Sequence, residues 1–164
     1  LANRDGQANQ ILFNDGMLGF DEVREFGTGS DETRSVVLAD LNQDGILDIV
    51  AANIGEPNAV YLGTGGGGFD NGITFGQDED TYASTVADFD RDGDLDILVG
   101  NVRGRNAIYV NGDGGRSWSE SRVGLEAEST YGVAVADVNG DGFPDIGFAN
   151  SESLNRLFLN VPSR

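Results

Sequence analysis

Apolar residues occur along the chain in short runs of about five to seven residues, bounded by glycine, asparagine and aspartate. Runs of this length between turn-forming residues are typical of β-strands, because an amphipathic helix needs a longer stretch with a period of about 3.6 residues. The pattern therefore predicts an all-β chain. The predicted strands are residues 10–14, 20–26, 35–39, 47–53, 59–63, 69–75, 83–87, 95–101, 107–111, 117–123, 132–136, 145–150 and 156–160.

A ten-residue acidic motif recurs three times, at residues 39–48, 87–96 and 136–145. Its first aspartate recurs after 48 and then after 49 residues. A second marker, an asparagine that opens an apolar strand, keeps the same spacing. The marker asparagines are Asn9, Asn58, Asn106 and Asn155. Four strands in each period of about 40 to 50 residues are typical of a β-propeller, so we expect four-stranded antiparallel blades.

The period divides the 164 residues into about 3.4 repeats of one propeller segment. We expect a half blade over residues 1–34, whole blades over 35–82 and 83–131, and an incomplete blade over 132–164. Incomplete end blades leave open strand edges, which β-sheet proteins rarely tolerate. Two chains that complete each other's end blades would close a ring of about six or seven blades around a two-fold axis. The alternative is that the chain is a fragment of a longer propeller.

Charge and composition narrow the possible partners. The sequence has 28 acidic residues against ten arginines and no lysine, which gives a net charge of −18. Nucleic acid is not expected as a partner, because a polyphosphate ligand needs clustered basic side chains. The absence of cysteine and histidine excludes disulfides, thiolate or imidazole metal sites and histidine-dependent catalysis. No apolar run approaches the roughly 20 residues that span a bilayer, so we expect no membrane insertion.

The acidic motif has oxygen-bearing side chains at positions 1, 3, 5 and 9, counted from its first aspartate, and glycine at position 6. This spacing suits calcium, which takes about six to eight oxygen ligands, and glycine allows the sharp turn. Aspartate, asparagine and glycine also favour simple turns, but a turn needs no carboxylate on the following strand. We therefore expect about three calcium ions per chain. The expected side-chain ligands are Asp40, Asn42, Asp44, Asp48, Asp88, Asp90, Asp92, Asp96, Asp137, Asn139, Asp141 and Asp145, with the backbone carbonyls of Ile46, Asp94 and Phe143.

The combined pattern resembles a known repeat. The motif Ala-Asp-x-Asn/Asp-x-Asp-Gly-x-x-Asp, followed by Asn-x-apolar-Tyr/Phe-Leu/Val and a glycine-rich turn at residues 63–69, is similar to the FG-GAP/VCBS repeat. The resemblance covers essentially the whole chain. It implies a calcium-binding β-propeller like that of integrin alpha chains, in an extracellular or cell-surface protein. Some bacterial proteins with such repeats are lectins or parts of carbohydrate-active enzymes.

We expect the connections between blades, and those between the second and third strands of a blade, to lie on the face opposite the acidic loops and to carry the candidate ligand-binding residues. These are Arg34, Tyr82, Arg103, Arg105 and Tyr131. Tyrosine beside carboxylates and amides can stack on a sugar ring, whereas arginines can also meet a protein partner. We predict a non-catalytic module for extracellular glycans, with an adhesion-type protein partner as the alternative. A polysaccharide-active enzyme is the weakest prediction, because catalysis concentrates unlike groups at one place and these carboxylates recur identically.

Overall fold

The computed structural model describes residues 2–4 and 6–161. The regular elements in these residues are β-strands, and paired strands run antiparallel. The strands are β1 Asn9–Phe13, β2 Glu22–Phe26, β3 Thr33–Ala39, β4 Asp48–Asn53, β5 Asn58–Tyr61, β6 Gly63–Gly65, β7 Gly68–Phe69, β8 Ile73–Phe75, β9 Thr81–Ala87, β10 Asp96–Asn111, β11 Trp118–Ala136, β12 Asp145–Ser151 and β13 Arg156–Phe158. The prediction of an all-β chain is confirmed.

The first complete repeat, called unit 1, is a four-stranded sheet with the order β3-β4-β5-β8. The sequence predicted one outer strand over residues 69–75, and the structure divides it. Phe69 lies in a separate two-stranded ribbon, β6-β7, while Ile73–Phe75 forms the outer strand β8. Asp70 separates the two parts, because its carboxylate accepts the N–H of Leu62 at 2.9 Å and its own N–H donates to the Leu62 carbonyl at 2.9 Å.

The next repeat, unit 2, contains β9, β10 and residues 118–123 of β11. The sequence predicted two strands where the structure has the single element β10, whose first half pairs with β9 and whose second half pairs with β11. The N–H of Asn111 donates to the carboxylate of Asp96 at 2.9 Å, so the two ends of β10 meet and the element turns back on itself. The register shifts at this turn, around Arg103, which has a φ of 60°.

The last repeat, unit 3, contains residues 129–136 of β11, followed by β12 and β13. β11 therefore joins the outer strand of unit 2 to the first strand of unit 3 within one sheet, ordered β13-β12-β11-β10-β9. The joining segment remains paired, since Val102 is opposite Ser129 and Gly104 is opposite Glu128. At the other end of the chain, β1 and β2 form a separate hairpin. The domain boundaries given above stay a prediction.

The core lies between the units, in three apolar clusters. The largest cluster joins Leu41, Val50 and Val60 of unit 1 to Ile97 and Tyr109 of unit 2. A second lies between the β1-β2 hairpin and unit 1, and a third lies between units 2 and 3. Each fully buried aliphatic side chain contributes about 1.5 to 3 kcal/mol relative to exposure. Packing between neighbouring units therefore supplies the apolar stabilisation, because each sheet buries its faces on the next.

A hydrogen-bonded latch ties each unit to the following one at the end of the sheets opposite the acidic loops. In the central copy, the Asn58 amide donates to Thr81 Oγ1 at 3.2 Å, and Thr81 donates to Asn101 Oδ1 at 2.8 Å. The equivalent latches are Asn9, Thr33 and Asn53, and Asn106, Thr130 and Asn150. The marker asparagines Asn9, Asn58 and Asn106 thus join consecutive repeats, whereas Asn155 accepts the N–H of Asn150 within unit 3.

Candidate metal centre and ligand-binding face

The three acidic loops share one backbone path. They connect β3 to β4, β9 to β10 and β11 to β12. The position 6 glycines all have positive φ, with values of 82° at Gly45, 102° at Gly93 and 86° at Gly142. Position 4 is also left-handed, including the non-glycine residues Gln43 and Arg91. Glycine is the residue that adopts this conformation without a steric penalty, so its recurrence at position 6 has a backbone cause.

Hydrogen bonds within each loop turn the acidic side chains inward. In the first loop, Asp40 accepts the N–H groups of Asp44 and Gly45 at 3.1 and 2.9 Å, and Asp44 accepts the N–H of Ile46 at 2.8 Å. The third loop repeats this arrangement. Its acceptors Asp137 and Asp141 receive N–H groups from Asp141, Gly142 and Phe143. These bonds alone account for turn formation in the first and third loops.

The position 9 carboxylates have a structural task that the sequence did not show. Asp96 is fully buried, and its two oxygens accept the N–H groups of Phe89 and Asn111, both at 2.9 Å. The same pair of bonds holds Asp48 and Asp145 in the other loops. Each carboxylate therefore fastens the start of its loop to the end of the third strand of its unit. The sequence feature that could have indicated this task is a carboxylate that recurs at the start of an otherwise apolar strand.

Burial raises the pKa values of Asp48 and Asp96, and the nearby acidic side chains of the same loops act in the same direction. Around Asp96 these neighbours are Asp90 and Asp92. Backbone hydrogen bonds oppose the shift without cancelling it. A cation among these groups would favour their ionised forms, because an opposite charge lowers the pKa of a carboxyl group.

The second loop gathers its carboxylates most closely. Asp88, Asp90 and Asp96 each offer an oxygen within 4.8 Å of the others. Asp88 Oδ1 is buried and has no hydrogen-bond partner in the structure, although buried carboxylate oxygens are normally satisfied. Oxygen-only donors of this kind suit a hard divalent cation such as calcium. The residues of the second loop therefore fit the predicted ion.

Neighbouring acidic loops also touch. The amide of Gln43 in the first loop donates to the Gly93 carbonyl at 3.0 Å and to Asp94 Oδ1 at 2.6 Å in the second. The guanidinium of Arg91 in the second loop lies 4.8 Å from the ring centre of Phe143 in the third. Position 4 of one loop thus contacts position 7 of the next. Sequence reasoning missed these contacts, because they depend on how the units pack.

Three of the five candidate ligand residues form a row at the opposite end of the first strands. Arg34, Tyr82 and Tyr131 occupy the same position in successive units. The Arg34 guanidinium lies 5.5 Å from the centre of the Tyr82 ring, and the Tyr82 and Tyr131 rings meet edge to face at 5.0 Å. Tyr131 is 50% exposed. Six residues of strand separate Arg34 from Asp40, so the row lies about 20 Å from the acidic loops.

The other two candidates have different surroundings. Arg105 donates to the Gly124 carbonyl at 2.7 Å, and its Nε is buried with no hydrogen-bond partner in the structure. Arg103 is exposed on the turn of β10. The structure therefore brings Arg34, Tyr82 and Tyr131 together, whereas Arg103 and Arg105 lie on the connection inside unit 2.

Comparison with known proteins agrees with the repeated acidic loops. The FG-GAP-like repeat family matches residues 40–99 and 88–148. A search among curated proteins found no match. Among the residues that the structure describes, no helix is long and apolar enough to cross a membrane. The two family matches together extend from the first acidic loop into β12 and overlap in unit 2. The chain belongs to the FG-GAP-like repeat family.

Proposed function

We propose that this chain is a calcium-stabilised propeller segment that serves as a non-catalytic, extracellular recognition module for carbohydrate. Calcium binding is supported by the second loop. Three carboxylates converge there, and Asp88 Oδ1 is buried without a hydrogen-bond partner. The row of Arg34, Tyr82 and Tyr131 supports the recognition part. Membership of the FG-GAP-like repeat family agrees with a recognition role.

Asp88, Asp90, Asp92 and Asp96 would hold the ion in the second loop, together with the carbonyl of Asp94. Bound calcium supplies positive charge that offsets the repulsion among these carboxylates. The equivalent residues would hold ions in the first and third loops, which gives about three ions per chain. The chain itself preorganises each loop through its backbone N–H bonds and its position 6 glycine.

Asp90→Ala is expected to lower the melting temperature in calcium and to change it little in chelator. Asp90 is exposed, and its main structural contact is the weak acceptance of the Asp92 N–H at 3.2 Å, so its loss matters chiefly through the ion. Thermal melts with calcium and with chelator measure the difference, and titration calorimetry should show about one ion fewer. Glu25→Ala, an exposed change outside the loops, is the control. Identical melting of the unmodified chain in calcium and chelator would refute the metal site.

The recognition surface gives a second prediction. Tyr82→Ala and Tyr131→Ala should abolish glycan binding without changing calcium binding, because they remove the aromatic row in which Tyr131 is half-exposed and Tyr82 packs beside it. Single sites are expected to bind weakly, and a multivalent glycan should improve the apparent affinity about tenfold or more. A glycan array in calcium, followed by titration of the best ligand, makes the measurement. Thr74→Ala, an exposed change on β8, is the control.

An adhesion-type protein partner would give a different result. Binding would then depend on Arg34, Arg103 and Arg105 and would weaken with added salt, because salt screens charges at the rim of an interface. A blank glycan array from folded, calcium-loaded protein would count against carbohydrate and in favour of this alternative. Neither outcome involves catalysis, since the carboxylates recur identically in each unit and the sequence offers no histidine or cysteine.

A further inference from the structure

The third acidic loop contains a chemically reactive pair of residues. Position 3 is asparagine in the first and third loops, at Asn42 and Asn139, and only in the third loop does glycine follow it, at Gly140. An asparagine side-chain amide reacts most readily with the next backbone nitrogen when that residue is glycine, because glycine has no Cβ to hinder the approach. The space where a Cβ of Gly140 would stand is open, with no atom within 4 Å beyond its chain neighbours.

The backbone nitrogen of Gly140 is also bonded to a carboxylate. Its N–H donates to Asp137 Oδ1 at 2.7 Å, and Asp137 accepts the N–H groups of Asp141 and Gly142 at 3.1 and 2.9 Å as well. These bonds hold the carboxylate against the nitrogen that would attack. A carboxylate within hydrogen-bond reach of a proton can accept it as a general base. Asp137 and Asn139 are both exposed, so water reaches the reacting groups.

The sequence has two further Asn-Gly pairs, which serve as comparisons. Asn111 is buried, its amide donates to the Leu41 carbonyl at 2.9 Å, and the N–H of Gly112 donates to the Ser117 carbonyl at 3.0 Å. The Asn111 side chain cannot turn toward Gly112 without breaking its buried bond. Asn71 is exposed, in the turn between β7 and β8. The three pairs therefore lie in a buried site, an exposed turn and an exposed acidic loop.

We propose that Asn139 is a site of spontaneous deamidation in the calcium-free chain. The Gly140 nitrogen bonds to Asn139 Cγ while its proton passes to Asp137. The bond from Cγ to the amide nitrogen then breaks, and ammonia leaves with the proton that Asp137 had accepted. Water opens the resulting cyclic imide, either at Cγ to give aspartate or at the backbone carbonyl of residue 139 to give isoaspartate. The reaction consumes water and releases ammonia, and it needs no oxidant or reductant.

The two products change the third loop in different ways. The aspartate product places carboxylates at positions 1, 3, 5 and 9, which is the side-chain set of the second loop, Asp88, Asp90, Asp92 and Asp96. Calcium affinity in such loops depends on the number of charged ligands, so this product should bind the ion more tightly. The isoaspartate product lengthens the main chain by a methylene group. That product displaces the inward N–H bonds of the loop and should weaken calcium binding.

Calcium should protect Asn139, and this part of the inference rests on the proposed function. Asp137 and Asn139 occupy positions 1 and 3 of the loop, where both side chains would engage the ion. Their engagement removes the proton acceptor and holds the amide away from the Gly140 nitrogen. Deamidation is therefore expected in chains whose third loop is without calcium.

Mass spectrometry of peptides from chain aged at neutral pH, in chelator and in calcium, measures conversion at each Asn-Gly pair. In chelator, Asn139 should convert at least about tenfold faster than the buried Asn111, which reacts only after local opening. Calcium should suppress the conversion of Asn139. Asp137→Asn removes the proton acceptor and should slow the reaction in chelator at least about tenfold. Gly140→Gln should also slow it, and position 4 accepts glutamine because Gln43 has the same left-handed backbone in the first loop.

The same chain in denaturant is the reference for the chemistry, and Asn71 is the reference within each variant. If Asn139 stays intact in the folded, chelated chain while it converts in denaturant, the proposal is overturned. Conversion that Asp137→Asn and Gly140→Gln both leave unchanged, relative to Asn71, overturns it as well. Equal conversion of Asn139 with and without calcium has a different meaning. It would support the modification site and contradict the calcium site proposed for the third loop.

Discussion

Asp96→Ala is expected to lower the melting temperature by roughly 10 °C in calcium and by about half as much in chelator. The change leaves the buried N–H groups of Phe89 and Asn111 without their acceptor, which costs about 1 to 3 kcal/mol for each group. A chain of this length loses about 2 to 4 °C per kcal/mol. In chelator the loss is smaller, because the stabilisation by bound calcium that the variant forfeits is absent from the unmodified chain as well.

The comparison with Asp90→Ala separates the structural role of the loop from the proposed calcium binding. Both changes remove a carboxylate of the same cluster, but Asp90 is exposed and Asp96 is fully buried between two backbone donors. Thermal melts of both variants, each with calcium and with chelator, give four melting temperatures to compare with those of the unmodified chain. If Asp96→Ala melts like the unmodified chain in chelator, the structural role assigned to position 9 is wrong.

Thr81→Val should lower the melting temperature by roughly 5 to 10 °C, with or without calcium. Valine has the shape of threonine, so the packing is kept and only the hydroxyl is lost. Thr81 is fully buried, and the change removes its bonds to the Asn58 amide and to Asn101 Oδ1. Leaving these two buried groups unpaired costs about 2 to 4 kcal/mol.

Two matched changes identify the hydroxyl as the cause. Thr81→Ser keeps the hydroxyl and removes a methyl group, so it should cost about 1 kcal/mol at most. Thr74→Val makes the same chemical change at an exposed position on β8 and should be nearly neutral. Denaturant unfolding of the three variants checks the ranking. A Thr81→Ser variant as unstable as Thr81→Val would show that the latch contributes little.

The strand pattern and the repeat were readable from the sequence because both are local or periodic. Short apolar runs between glycine and aspartate predicted the strands of unit 1, and the acidic motif predicted the loops with left-handed glycines at position 6. The marker asparagines had a visible spacing, but their partners are threonines of the next unit. That pairing depends on how two sheets pack, and the spacing of residues along the chain carries no information about this packing.

The connections were harder to predict for a related reason. β10 and β11 remain paired through turns where the sequence suggested a break, because Val102 and Gly104 find partners in the segment leading to the next unit. Arg105, a candidate ligand-binding residue, donates to a backbone carbonyl. Tyr82 and Tyr131 do lie together, because they occupy equivalent positions in successive units. The calcium count and the ligand stay predictions that the experiments above can decide.

Neighbouring units are tied at both ends of their sheets, by the Asn-Thr-Asn latch at one end and by Gln43 and Arg91 at the other. In an open array of repeats, each repeat can unfold and refold against a single neighbour, so end repeats fray independently. A unit held at both ends cannot swing away without breaking both sets of contacts. Backbone amides of unit 2 should therefore exchange with deuterium only through an opening that also exposes units 1 and 3, and the chain should resist proteases as one cooperative body.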